Sequence, residues 1–416
     1  MTTQQPLIAQ SWFASRNWRI DLGTIKGATI VVLGLRLILS LVGIFVSASK
    51  PLLPLEATVG VLSSQAPFFT WLQRLFVSPL MRFDAVRYQM IVEHGYRLED
   101  GNAAFHPLYP FLGALLCPVV GNNTGLALLV VSTLASIGLC VVFTRYVADV
   151  HGMNRAQPAT LVLLVAPPAF VLLMPYTEST FLVFAVTSMW AMHHRRWWLA
   201  GLLAGLATLT RQQGIALLAP LAWALCTALR QHQARPRDLA AILLIPLSYS
   251  LFVLYRAVAL GDLVALANAS TPAVFVRNLL VSPSSEHVIP GQRIAWPWEL
   301  FIDQLRIIPL SRNSYHLIID MVLGWAGILI VVTGIKHMTT VERWYSLGII
   351  VLALCYYNGE AFPYLSLPRH ILLAFPLFVV IMRRVQSKRH RISLMEGLLM
   401  CNIVLLGLCI RGIWIP

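Results

Sequence analysis

Charge is what this sequence has least of. Asp, Glu, Lys and Arg make up 12% of its 416 residues, while apolar residues reach 58% and the mean hydropathy is +0.73. A soluble domain carries about 25% charge, so a water-soluble fold, a disordered chain and a collagen-like fibre are excluded. Acids are scarcer still: 17 stand against 31 basic residues, for a net charge of +14. The cysteines Cys117, Cys140, Cys226, Cys355, Cys401 and Cys409 lie in apolar runs with no C-x-x-C pair, so they read as buried thiols and not as a disulfide framework or a zinc site. The chain has no Gly-x-Gly-x-x-Gly fingerprint, no P-loop and no H-x-x-H spacing. Neither a soluble nucleotide-binding domain nor a metal site is therefore expected. No internal repeat with matching motifs is evident, which weighs against an inverted-repeat transporter.

What remains is a polytopic membrane protein. The apolar stretches run roughly 16–24 residues, the length a helix needs to cross a ~30 Å hydrocarbon core. We count eleven or twelve such segments in an all-α bundle, read as a single membrane domain over residues 1–416. The 24 mostly polar residues before the first apolar run argue against a cleavable signal peptide. The basic residues sit in short clusters between spans, such as Arg195–Arg196, Arg230–Arg235–Arg237 and Arg383–Arg384–Lys388–Arg389–Arg391. Such clusters mark cytoplasmic loops, so the positive charge indicates membrane orientation and no nucleic-acid partner. Two long segments, 49–103 and 261–313, are charge-balanced, with five acids against five bases and four against four. Both are placed outside the cytoplasm, with Glu178 and Glu360. The first contains amphipathic pieces, Phe68–Val77 and Phe83–His94, fit to lie along the membrane surface. Long ordered loops usually bind or catalyse, so any chemistry should face outward.

The densest stretch of polar chemistry is Met81–Pro110. Asp84 lies between Arg82 and Arg87 at the start of a predicted helix, where the dipole favours an acid. It reads equally as a general base and as an N-cap. Gly95-Tyr96 reads as the helix stop. His106-Pro107-Leu108-Tyr109-Pro110 turns the chain back into the bilayer. Glu178 opens a span after Pro175-Tyr176 and reads as a cap or as a ligand to acceptor or arginine. Arg211 and Arg369, at helix boundaries, read as phosphate ligands or as side chains snorkelling to the interface. Arg36 is mid-span and should pair inside the bundle. Trp296-Pro297-Trp298 fits interfacial anchoring or contact with sugar.

These residues carry a resemblance. Arg82-Phe83-Asp84-Ala85, Gly95-Tyr96 and Ala104-Phe105-His106-Pro107-Leu108-Tyr109-Pro110 resemble the signature of the PIG-V family, the second mannosyltransferase of glycosylphosphatidylinositol assembly and its prokaryotic relatives. Tyr176-Thr177-Glu178-Ser179, the Gly205–Gly214 segment ending Arg211-Gln212-Gln213-Gly214, and Pro368-Arg369-His370 with Phe375-Pro376-Leu377-Phe378 are similar to later family elements, in the same order. Phe83 stands where the family usually has Trp, and His106 where it usually has Phe. The resemblance implies a GT-C-type membrane glycosyltransferase that uses a polyprenyl-phosphate hexose, mannose first, and an extracytoplasmic glycolipid or glycan acceptor. Asp84 is then the base, with Arg82, Arg87, His106, Tyr109, Glu178, Arg211 and Arg369 as the substrate-binding set. No cofactor or metal is called for. The membrane is the plasma membrane in a prokaryote or the endoplasmic reticulum membrane in a eukaryote. The rival expectation is a transporter of lipid-linked sugar using the same charged residues without covalent chemistry.

Overall fold

The computed structural model describes residues 20–49, 67–97, 100–260, 291–310, 315–360 and 362–413. Residues 50–66 of the first long segment and most of the 261–313 segment lie outside them. Helices dominate: α1 (Ile25–Ser49), α2 (Pro67–Phe76), α3 (Asp84–His94), α4 (Leu108–Leu116), α5 (Thr124–His151), α6 (Met153–Val165), α7 (Glu178–His193), α8 (Trp197–Thr210), α9 (Leu218–Arg230) and α10 (Leu244–Ala259). After them come β1 (Gln292–Ile294), α11 (Pro297–Ile307), α12 (Tyr315–Gly334), α13 (Thr340–Cys355), β2 (Tyr356–Asn358), α14 (Leu367–Leu372), α15 (Pro376–Arg384) and α16 (Lys388–Ile410).

Among the described residues six helical stretches are long and apolar enough to cross a bilayer, including Ile25–Ala48, Thr124–His151 and Lys388–Ile410. Their outward faces carry Leu37, Phe45, Leu251, Val322 and Val404, all more than half exposed. Such a surface is stable against lipid and not against water. Several other apolar segments counted from the sequence are shorter. Pro167-Pro168 turns the chain into a 3-10 stretch after α6, and Leu373–Phe375 separates α14 from α15. Proline lacks the N–H that would continue the ladder, so these segments are built from broken pieces packed inside the bundle.

The inner layer is α5, α7 and α8, with α7 packed against both others and α10 laid along α8. Small residues let α8 approach α10 and the 3-10 stretch Pro236–Leu243 before it: a Cβ on Gly201 would stand 2.2 Å from the Ala241 carbonyl oxygen, and one on Gly205 would stand 2.5 Å from Ser248 Oγ. This is the close-approach logic of small-xxx-small helix pairs. Helix α5 starts at Asn123, whose side chain accepts from the Leu126 N–H at 3.0 Å. α13 starts with a capping box between Thr339 and Glu342. The two pieces of the first long segment that sequence patterning marked as helical are α2 and α3, and α3 ends at Gly95 with φ +75°. Helix α3 packs on α4 and α5, and Ala85, Tyr88 and Ile91 are buried there.

Candidate active site

Asp84 is the first residue of α3, and the N-cap position falls on Phe83. Phe83 has φ +49°, a region costly for a residue with a Cβ. The preceding turn is clamped: Tyr176 Oη donates to the Arg82 carbonyl at 3.1 Å, and Arg82 Nε donates to the Ile410 carbonyl at 3.0 Å. The clamp holds the strained turn and leaves the Asp84 carboxylate to meet a side chain from the far end of the chain. Arg369 Nη1 donates to Asp84 Oδ2 at 2.6 Å.

Arg369 is placed by a second left-handed residue, Ser366, with φ +65° at the start of α14. The Ser366 N–H donates to Asp320 Oδ2 at 3.3 Å from α12. The guanidinium lies over the Tyr176 ring, 4.4 Å from its centroid. Its Nε donates to Glu178 Oε1. Glu178 is fully buried at the start of α7 and accepts from Arg211 Nη1 as well. The result is a buried chain of alternating charge: Asp84, Arg369, Glu178, Arg211. Glu178 Oε2 and Arg369 Nη2 are buried and find no hydrogen-bond partner among the described residues.

Arg211 follows α8 in extended conformation, and the chain then doubles back on the helix. Gly214 permits this, since a Cβ there would lie 2.4 Å from the Thr208 backbone nitrogen. The turn brings Arg211 Nη1 to Thr177 Oγ1 at 2.8 Å, and Tyr88 Oη approaches the same hydroxyl at 3.5 Å.

A cavity of about 150 Å³ opens over this chain. Asp84, His106, Arg211 and Arg369 line it directly. His106, in the loop before α4, sits against Tyr249 and Phe252. Burial pushes its imidazole down to about 3, and the charges of Arg256 and Arg211 act in the same direction against a backbone hydrogen bond to Thr208. The ring is thus neutral at physiological pH.

Four expected site residues lie outside the cavity lining. Glu178 is beneath it, bound to the two arginines. Tyr109 is one layer back, with its hydroxyl at 2.9 Å from the Leu128 carbonyl and 2.7 Å from Ser132 Oγ. Arg82 is directed to the end of α16. Arg87 donates to the Asp100 carbonyl at 3.0 Å. Among the described residues Arg36 donates to the Leu173 carbonyl and pairs with no acid.

Other lining residues carried no strong local signal. Gln212 and Gln213 adjoin Arg211, and Gln292, Tyr356 and Asn358 arrive through the β1–β2 ladder. Gln292 pairs with Asn358, and their side-chain amides bond at 3.0 Å. This ladder carries the end of the second long segment to the cavity. Beyond it Trp296 and Trp298 stack at 4.9 Å, both more than half exposed. Among the described residues no group of three or more His, Cys, Asp or Glu side chains is placed to hold a metal.

The family described as Mannosyltransferase (PIG-V) matches residues 30–263. A curated mouse protein named GPI alpha-1,6-mannosyltransferase 2 is 30% identical over 164 residues, which cover 35% of this chain and 32% of the mouse protein. The match thus spans about a third of that relative's length. Crystal structures of ArnT from Cupriavidus metallidurans are similar in fold. The one bound to undecaprenyl phosphate has a TM-score of 0.47 at 14% identity and covers 91% of this chain and 64% of that one. The apo state has a TM-score of 0.42 at 13% identity, covering 89% and 62%.

Proposed function

Because the chain belongs to the mannosyltransferase (PIG-V) family, we propose that it transfers a hexose, mannose, from a polyprenyl phosphate to a hydroxyl of an extracytoplasmic glycolipid or glycan. The observation that carries this reading is the convergence of Asp84, Arg369 and Arg211 on one cavity. A single inverting displacement needs a carboxylate to take the acceptor's proton and cations to stabilise the leaving phosphate. The acceptor oxygen attacks C1, the bond from C1 to the phosphate oxygen breaks, the proton passes to Asp84, and polyprenyl phosphate leaves.

Arg369 is bonded to Asp84. The donor phosphate competes for this guanidinium, whose planar fork suits a phosphate. Drawing Arg369 toward the phosphate frees an Asp84 oxygen for the acceptor. Glu178, whose sequence readings were a cap or a ligand to acceptor or arginine, serves here as the counter-charge that keeps two arginines together in a buried place. The lipid-linked sugar is itself a substrate, so no cofactor is required, and arginine meets the charge of a monophosphate without a metal.

The test is product formation from radiolabelled polyprenyl-phosphate mannose in membranes carrying the wild-type chain or Asp84→Asn. Labelled product from the wild type and its loss in the variant support the reading. Movement of intact labelled lipid across the bilayer without product would replace transfer by transport.

A further inference from the structure

The opposite end of the bundle carries a second charged cavity that the transfer reaction does not use. Ser132 of α5 bonds to the Tyr176 carbonyl beside the active site. His151 ends the same helix nineteen residues on, roughly 28 Å away at 1.5 Å per residue. There the junction of α5 with α6 meets the junction of α15 with α16 around a cavity of about 410 Å³. Arg155, Arg383 and Arg391 line it, with His151, Gln386 and Met153, and no acid is among the lining residues.

The arginine at its centre is held by a buried support. Glu342, fully buried, accepts from Tyr146 Oη at 2.9 Å and from the Thr339 N–H at 2.8 Å, and meets His151 Nε2 at 2.7 Å. On the other side of the ring, Arg383 Nη2 lies 3.1 Å from His151 Nδ1. A guanidinium has no acceptor, so Nδ1 accepts, and the ring proton sits on Nε2 facing Glu342. The Arg383 Nε is buried and has no hydrogen-bond partner among the described residues. Arg155 bonds to the His151 carbonyl at 2.5 Å, and Arg391 to the Val385 carbonyl at 2.7 Å. Three guanidinium groups therefore face one space over a single buried carboxylate. A solvated basic loop needs no such support, whereas an anion-binding site does, because guanidinium discriminates only when its donors are fixed in direction.

We propose that this cavity binds a phosphate group, that of a bilayer lipid headgroup. The membrane source is favoured by Met153, which lines the cavity and is 69% exposed, so that apolar surface adjoins the cationic space. Arg383 is the directional ligand, Arg155 and Arg391 are the flanking charges, and Glu342 with His151 positions Arg383.

The full chain, purified in a neutral detergent, is titrated with dihexanoyl phosphatidylglycerol, dihexanoyl phosphatidylcholine or inorganic phosphate, and thermal stabilisation is read against concentration. Both phosphodiesters should stabilise the wild type, phosphatidylglycerol more strongly because of its net charge. Arg383→Gln, and separately Arg155→Gln with Arg391→Gln, should weaken the apparent affinity about tenfold or more. Arg196→Gln, in the other basic cluster of this end, should leave it unchanged. The double variant alters partly exposed side chains, so it decides the matter if Arg383→Gln does not fold. Equal protection by inorganic phosphate would keep the site but assign it to a soluble anion. No protection by any of the three, or equal weakening by Arg196→Gln, would overturn it.

Discussion

Arg369 Nη1 and Asp84 Oδ2 lie 2.6 Å apart although 285 residues separate them in the chain. A residue in left-handed backbone precedes each, Phe83 directly before Asp84 and Ser366 three positions before Arg369. Each strained turn is held by buried groups from elsewhere, the Tyr176 hydroxyl in one case and Asp320 in the other. Strain of about 1–3 kcal/mol per residue persists only where the surroundings over-determine it. The two residues are thus presented to each other by the whole bundle.

Asp84→Asn keeps the shape of the side chain and removes the oxygen that takes a proton. Transfer should fall roughly 10²–10⁴-fold, the usual worth of a positioned base. Asp84 is not the helix cap, but the variant also gives up the charge paired with Arg369, so melting in detergent should fall modestly, with Glu178 still compensating that guanidinium. Near wild-type turnover by a folded variant would exclude Asp84 as the base and make Glu178 the next candidate.

Arg369→Lys retains the charge but cannot reach Asp84 and Glu178 together. Both activity and stability should fall. Loss of one partner of a buried pair costs about 3–5 kcal/mol, though Arg211 still bonds to Glu178 and moderates the effect. Parallel assays of transfer and thermal unfolding check this, and an unchanged melting temperature would mean that the charge chain contributes nothing to the fold.

Gly214→Ala places a Cβ 2.4 Å from the Thr208 nitrogen. The turn must open, at roughly 1–3 kcal/mol, and Arg211 moves with it. The expectation is a lower melting temperature together with weaker binding of the donor, seen as a raised KM for the lipid-linked sugar. A variant with wild-type KM would separate Arg211 from donor binding.

His106 links pH to stability. Its imidazole is held down near 3 in the folded chain, against about 6.5 unfolded. Its contribution is complete above the unfolded value and is lost as pH falls below it, because the unfolded chain then takes up the proton. Melting temperatures should therefore decline more between pH 6.5 and 5 for the wild type than for His106→Phe. Identical slopes would show that the ring does not remain neutral in its pocket.

Transfer should persist in EDTA, since a monophosphate leaving group can be met by arginine alone. Loss of activity in chelator with recovery on adding magnesium or manganese would contradict this and call for acids at the cavity to act as ligands.

Composition and run length were sufficient to establish an all-helical membrane chain, because burial in lipid demands long apolar helices whatever their packing. Short ordered motifs located Asp84, Glu178, Arg211 and Arg369, and Gly95 ended the helix that its backbone freedom suggested. The partners were not legible. Nothing in the periodicity near Glu178 tells that it lies between two arginines, since those contacts join α7 to the ends of α8 and α14. The same holds for Gln292 and Asn358, brought together by a three-residue ladder. Arg82 and Tyr109 belong to the motif yet stand behind the cavity. The sequence by itself determined which residue types gather at helix boundaries, because hydropathy and helix length are local properties. Tertiary structure alone decided which of them face one another, because that depends on helix packing and on strained turns held by residues hundreds of positions away.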